Sequence, residues 1–199
     1  MRVAAESYGG PAAFNRSRVL PESICAYEQN GGDLVTALQT LGVTPWTIAP
    51  SRLRTAGANF PVTGGAVDLK SLKGEIIHSG GLTLTAGKTQ VRLQGFTIDT
   101  SGTAPLLTGL VTANGVLLGR VPLFDINLSG ASVRVNDGIL TITGVGLTLD
   151  KAAAAALNHV FDVKAFTSGL PIGTAKVTAV LDGSNEASDE DKLVGKKLQ

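Results

Sequence analysis

The sequence predicts a mainly β domain, an antiparallel sandwich or barrel-like fold with two short helices, on three observations. Apolar and polar residues alternate at period two from Phe60 to about Ile142, hairpin dipeptides punctuate the runs, and two segments switch to helical spacing. Composition agrees: 25 glycines, abundant Thr, Val and Leu, and 17% charged residues suit a turn-rich sheet rather than a bundle. A chain of 199 residues can bury one core without disulfides or metals.

Residues 1–30, with Gly9-Gly10-Pro11 and scattered polar residues, show no clear period and read as an N-terminal extension. The domain spans residues 31–183. Asp33 can cap a first helix in which Leu34, Ala37, Leu38 and Leu41 share a face, and Gly42 can take the left-handed conformation that ends it. Leu82 and Leu84, Val91 and Leu93, then Phe96 and Ile98 alternate with polar neighbours, with Ala86-Gly87-Lys88 as the turn between the first two runs. Further runs follow at Leu106 to Val111, Val116 to Leu118, Val121 to Leu128, Ser132 to Val135 and Ile139 to Thr143. Asn114-Gly115 and Asp137-Gly138 are the strongest hairpin signals. Gly144-Val145-Gly146 sits inside an alternating run and reads as a bulge rather than a phosphate loop. Asp150 is a fitting N-cap for an alanine-rich helix whose Ala153, Ala156, Leu157, Val160 and Phe161 should pack on the sheet. Lys176 to Leu181 supplies a closing strand, and residues 184–199 form a charged tail without apolar periodicity, which reads as solvated and disordered.

Several chemistries lack their residues. With 17 Lys plus Arg against 16 Asp plus Glu there is no global field to hold nucleic acid. Cys25 is alone, so no intrachain disulfide, CxxC pair or cysteine zinc cluster can form. No run reaches the roughly 18 apolar residues of a membrane-spanning helix, and the first 30 contain no run of signal-peptide length. Neither His78 nor His159 accompanies a G-x-S-x-G elbow, and Glu75 is the one glutamate between Glu28 and Glu186, which argues against a carboxylate pair. The expectation is a non-enzymatic chain with no catalytic residues and no metal site. Of the histidines, His159 reads as solvent-facing or as a C-terminal helix residue, a position where a cation is mildly favoured. His78, flanked by glycines that let a backbone approach closely, is the candidate ligand-binding residue.

Three segments resemble the HtaA-domain proteins of actinobacterial haem uptake and related exported proteins. They are Phe60-Pro61-Val62-Thr63-Gly64-Gly65, similar to that family's opening strand and glycine turn; Gly74 to Thr85 with its His78-Ser79-Gly80-Gly81 core; and Leu147 to Asp150 with the alanine helix and the Gly169 to Gly173 turn. The resemblance covers about residues 60–180. It implies an exported or cell-surface β module, with possible cell-wall association, that holds haem through a tyrosinate beside a histidine matched by His78. The stretch from Trp46 to Phe60 that corresponds to the family's tyrosine-bearing, tryptophan-glycine segment has no tyrosine; Tyr8 and Tyr27 lie outside the matched region. Two functions therefore stand side by side. One is a module binding a small hydrophobic ligand such as haem near His78; the other is a structural, self-assembling surface protein whose partners are copies of itself.

Overall fold

In the computed structural model, residues 16–19, 24–28, 38–54 and 57–182 are described, with the backbone alone for 16 and 24–28. The Asp33 cap, Tyr8 and the tail at 184–199 lie outside them. The fold is mainly β, a curled, half-barrel antiparallel sheet with two helices.

Its strands are β1 (Arg16–Arg18), β2 (Ile24–Glu28), β3 (Thr44–Ile48), β4 (Arg52–Arg54), β5 (Gly57–Asp68), β6 (Gly74–His78) and β7 (Gly81–Ala86). They continue as β8 (Thr89–Asp99), β9 (Leu106–Ala113), β10 (Val116–Asn127), β11 (Ser132–Asn136), β12 (Ile139–Leu149) and β13 (Pro171–Val180). Helix α1 is described at 38–40 and α2 spans Lys151–Phe161.

The local signals act as their chemistry requires. Asn114-Gly115 and Asp137-Gly138 all have positive φ and form two-residue turns closed by the Ala113↔Val116 and Asn136↔Ile139 pairs. Gly42 ends α1 with φ 64, and Val43 N–H and Gly42 N–H donate back to the Leu38 and Gln39 carbonyls. Asp150 caps α2 by accepting from Ala152 N–H at 2.7 Å. Where the apolar phase shifts from Val91 and Leu93 to Phe96 and Ile98, β8 carries a bulge at Gly95, φ 56. Gly144 does the same for β12.

Two expectations change. Val116 to Leu118 and Val121 to Leu128 are one strand, β10, bent by a bulge at Gly119. Gly64-Gly65 is not a turn but lies within the twelve-residue β5, because the absent side chain at Gly65 lets the Glu75 carbonyl approach to 2.2 Å from where a Cβ would stand. β1 and β2 come from the stretch that reads as an extension; they are short, and show too few residues for an alternation to be legible.

The pairings follow a circuit. β1 and β2 run in line along one edge of β5, and β2 pairs on its other side with β13. The sheet continues through β12, β10 and β9 to β8, whose far edge meets β6 and β7, again in line. β6 returns to β5, closing the wall at one end, where Val67, Ile76, Ile98, Ile126, Ile142 and Val177 are buried together. β7 pairs instead with β3, and the start of β5 with β4. The wall therefore forks between His78 and Gly81, and the end beyond the fork is splayed.

Candidate ligand-binding site

The fork is built from the His78-Ser79-Gly80-Gly81 segment. Gly80 has φ 77, and a Cβ there would stand 2.1 Å from Ser51 Oγ; a Cβ at Gly81 would stand 2.0 Å from the Leu93 carbonyl oxygen. Both glycines thus let neighbouring groups press into the split. Ser51, carried on the β3–β4 connection, fills it: its Oγ accepts from Gly81 N–H at 2.9 Å and reaches the Ser79 carbonyl at 3.4 Å. Across the split, Gly95 N–H donates to the Gly80 carbonyl at 3.0 Å, so the β8 bulge and the fork hold one another.

His78 is buried at 4% exposure, in register with Val62. Its Nδ1 lies 3.2 Å from the Phe96 carbonyl oxygen. A carbonyl only accepts, so Nδ1 carries the proton and Nε2 presents a lone pair. Among the described residues that lone pair has no partner. Burial strips hydration from the charged ring and holds the imidazole at about 4, against an ordinary 6.5, although the Phe96 bond works in the opposite direction. The ring is a neutral acceptor at any pH above that. Beside it, Phe60 and Phe96 meet edge to face, centroids 5.0 Å apart.

Beyond the fork, the splayed end encloses a cavity of about 390 Å³, within the usual range for small-molecule sites. Its walls are Ala58, Leu82, Leu84, Leu93, Val111 and Leu123 from the sheet, roofed by Ala153, Ala156, Leu157 and Val160 of α2. This is why the apolar face of α2 is less buried than sheet packing would make it: Ala153 is buried, Leu157 and Val160 are half-buried, and Ala156 is exposed. Among the described residues Arg54 is the one charged group in the lining. His78 does not line the cavity, and His159 is exposed on α2. The described residues contain no cluster of three metal-ligating groups. Asp99 and Asp137 serve turns, Asp99 accepting from Ser101 N–H at 2.8 Å.

Ser51 and Arg54 carry no signal in the linear sequence, because their roles depend on partners far along the chain; Ser51 and Gly81 are thirty positions apart. Tyr27 sits in β2, in backbone register with Ala58 on one side and Ala175 on the other. It thus belongs to the same sheet as the matched segments.

No protein-family model matches the sequence, and no curated protein matches it significantly. Solved structures do match the fold. The C-terminal domain of HtaA from Corynebacterium glutamicum superposes with a TM-score of 0.64 at 17% identity, covering 83% of this chain and 99% of that one. A domain-swapped dimer of a histidine-to-alanine variant of the same domain gives 0.56 at 16% identity, covering 75% and 91%. The haem-binding protein HtaB from the same organism gives 0.50 at 7% identity, covering 84% and 95%. The likeness extends over more of the chain than the segments at 60–180. The chain is therefore structurally similar to HtaA domains and to HtaB of Corynebacterium, at low sequence identity.

Proposed function

We propose that this chain is a non-enzymatic, exported binding module that takes an apolar, carboxylate-bearing ligand into its splayed end, with haem the ligand that the likeness to HtaB names. The observation that carries this reading is the apolar cavity with Arg54 as its charged lining group: apolar walls take up a ring system or chain, and a guanidinium pairs with a carboxylate at the rim. The described lining offers no side chain that ligates iron. By residue type the candidate to supply it is Tyr27, the tyrosine of the described strands, placed by its backbone register with the cavity-wall residue Ala58. The bare Nε2 of His78 is a buried acceptor suited to a phenol hydroxyl, the pairing that the family resemblance implies.

Titration of the purified chain with hemin, followed in the Soret band, tests this reading. Wild type is expected to give a saturable one-to-one change, Tyr27→Phe to lose the ligand-field signature, and Arg54→Gln to weaken binding about tenfold. Iron-free protoporphyrin should still bind the Tyr27→Phe chain, since the walls remain. No spectral change with either porphyrin would remove the proposal, and an unchanged spectrum in His78→Ala would remove His78 from it.

A second reading, self-association, has its own observation. All five residues of β11 are exposed, and among the described strands it pairs with β12 alone, leaving a free edge with Val133 and Val135. Light scattering on a size-exclusion column is expected to show dimers at high concentration that Val135→Lys disperses. A strictly monomeric species would end this reading.

A further inference from the structure

We infer that the splayed end docks on an anionic lipid bilayer. The first observation is the tip of the β9–β10 hairpin, where Val116, Leu117 and Leu118 are 63%, 62% and 52% exposed. Successive residues of a strand point to opposite faces, so this tip is apolar on both sides. A protein partner laid against it would cover one face. An interfacial layer in which the tip is immersed covers both, as the apolar residues of membrane-surface elements require.

The second observation places the cavity mouth at the same surface. Leu118 and Leu53, the latter 56% exposed, line the cavity themselves, and Trp46, 66% exposed, follows the lining residue Pro45. A tryptophan at such a rim is the residue type that headgroup regions favour.

The third is charge. β3, β4, β7, the β7–β8 turn, the cavity half of β8 and the β9–β10 hairpin as far as Phe124 carry Arg52, Arg54, Lys88, Arg92 and Arg120, and no Asp or Glu. Of the other walls, α2 is balanced between Lys151 and Lys164 on one side and Asp150 and Asp162 on the other, with the Asp150 carboxylate engaged as the cap and Asp125 near it, while beside the start of β5 one acid, Glu28, stands in backbone register with Gly57. At the closed end acids and bases stand together, Asp68, Glu75 and Asp99 beside Arg18, Lys70 and Lys73. A cationic, apolar-tipped end repels its own copy and is drawn to an anionic surface. Docked this way the cavity mouth faces the bilayer, and an apolar ligand passes between the two without crossing water.

The test uses the full chain without hemin, so a failed porphyrin titration leaves it standing. Vesicles of phosphatidylcholine alone and of equimolar phosphatidylcholine and phosphatidylglycerol are floated with the protein, while the emission of Trp46, the chain's one tryptophan, is followed. Binding and a blue shift are expected on the anionic vesicles, weakened by salt. The double variant Val116→Ser with Leu117→Ser should lose binding about tenfold or more, as expected for two buried side chains. If that variant misfolds by circular dichroism, Lys88→Glu with Arg92→Glu makes the same test from the charge side. Equal binding to neutral and anionic vesicles, no binding by folded wild type, or full binding by the folded variants would overturn the inference. So would a dimer that forms without lipid and is lost in the double variant.

Discussion

Gly81→Ala should destabilise the domain by about 3 kcal/mol or more, enough to remove most of the stability of a fold of this size. The added methyl would lie 2.0 Å from the Leu93 carbonyl oxygen and 2.9 Å from the Gln94 Cα. Both are backbone atoms of β8, and neither can retreat. Leu93 and Gln94 are held on the other side by Val111 and Leu110 of β9, while Gly81 is itself tied to Ser51 Oγ. Relief would have to come from parting β7 and β8 at the fork, which exposes backbone groups that the ladder satisfies. Gly102→Ala is the matched control. Nothing lies within 4 Å of its Cβ position and its φ is ordinary, so its free energy of urea unfolding should stay within about 0.5 kcal/mol of wild type. Equal unfolding free energies for the two variants would mean that the fork is looser than the structure shows.

The second large effect is an acid dependence set by His78. Its folded value of about 4 lies below the 6.5 of the free group, so the unfolded chain takes up the proton first. Stability is therefore complete above pH 6.5, falls as the pH drops from 6.5 to 4, and levels off below. The slope approaches about 1.4 kcal/mol per pH unit and the total is roughly 3 kcal/mol. Asp68 and Asp99, whose carboxyls are held below the ordinary 3.8 by bonds from Ser71 and Ser101, act in a separate and lower window. Asp125, raised by desolvation and by Asp150, acts with the opposite sign. Comparison with His78→Leu isolates the histidine: urea unfolding at pH 7 and pH 4.5 should show a large loss in wild type and a much smaller one in the variant. Parallel losses would assign the acid sensitivity to other groups.

Alternation and turn chemistry are local, and they were legible for that reason. A pair such as Asn114-Gly115 demands positive φ at both residues whatever surrounds it, and Val91, Leu93, Phe96 and Ile98 declare their faces by spacing alone. The phase slip between Leu93 and Phe96 is itself a written signal of the Gly95 bulge. The fork is not written in that way. His78-Ser79-Gly80-Gly81 looks like one flexible interruption, and its purpose appears only when Ser51 and Leu93 arrive from distant strands. The cavity is hidden by the same logic: Leu84 or Val111 facing a void has the same pattern as a residue facing a neighbour. The apolar face of α2 signals burial, and no spacing rule separates a roof from a packed layer. At the candidate site the sequence singled out His78, through its glycine neighbours, and the structure sets that residue at the fork rather than in the cavity lining, while Arg54 is an ordinary exposed arginine until its strand meets the start of β5.

The seam between β2 and β13 joins residues 24–28 to residues 174–178, and Val19 bridges to Leu181. A nascent chain emerging amino end first can pair β8 with β9 or β9 with β10 as soon as they appear, but its girdle stays unbuckled until almost the last described residue is made. Contacts of such long sequence separation slow folding, so the newly made domain remains unlocked until residues 174–181 have emerged. In the finished protein the two termini of the described fold leave side by side, so that the domain can hang from a longer polypeptide as a bead hangs from a thread.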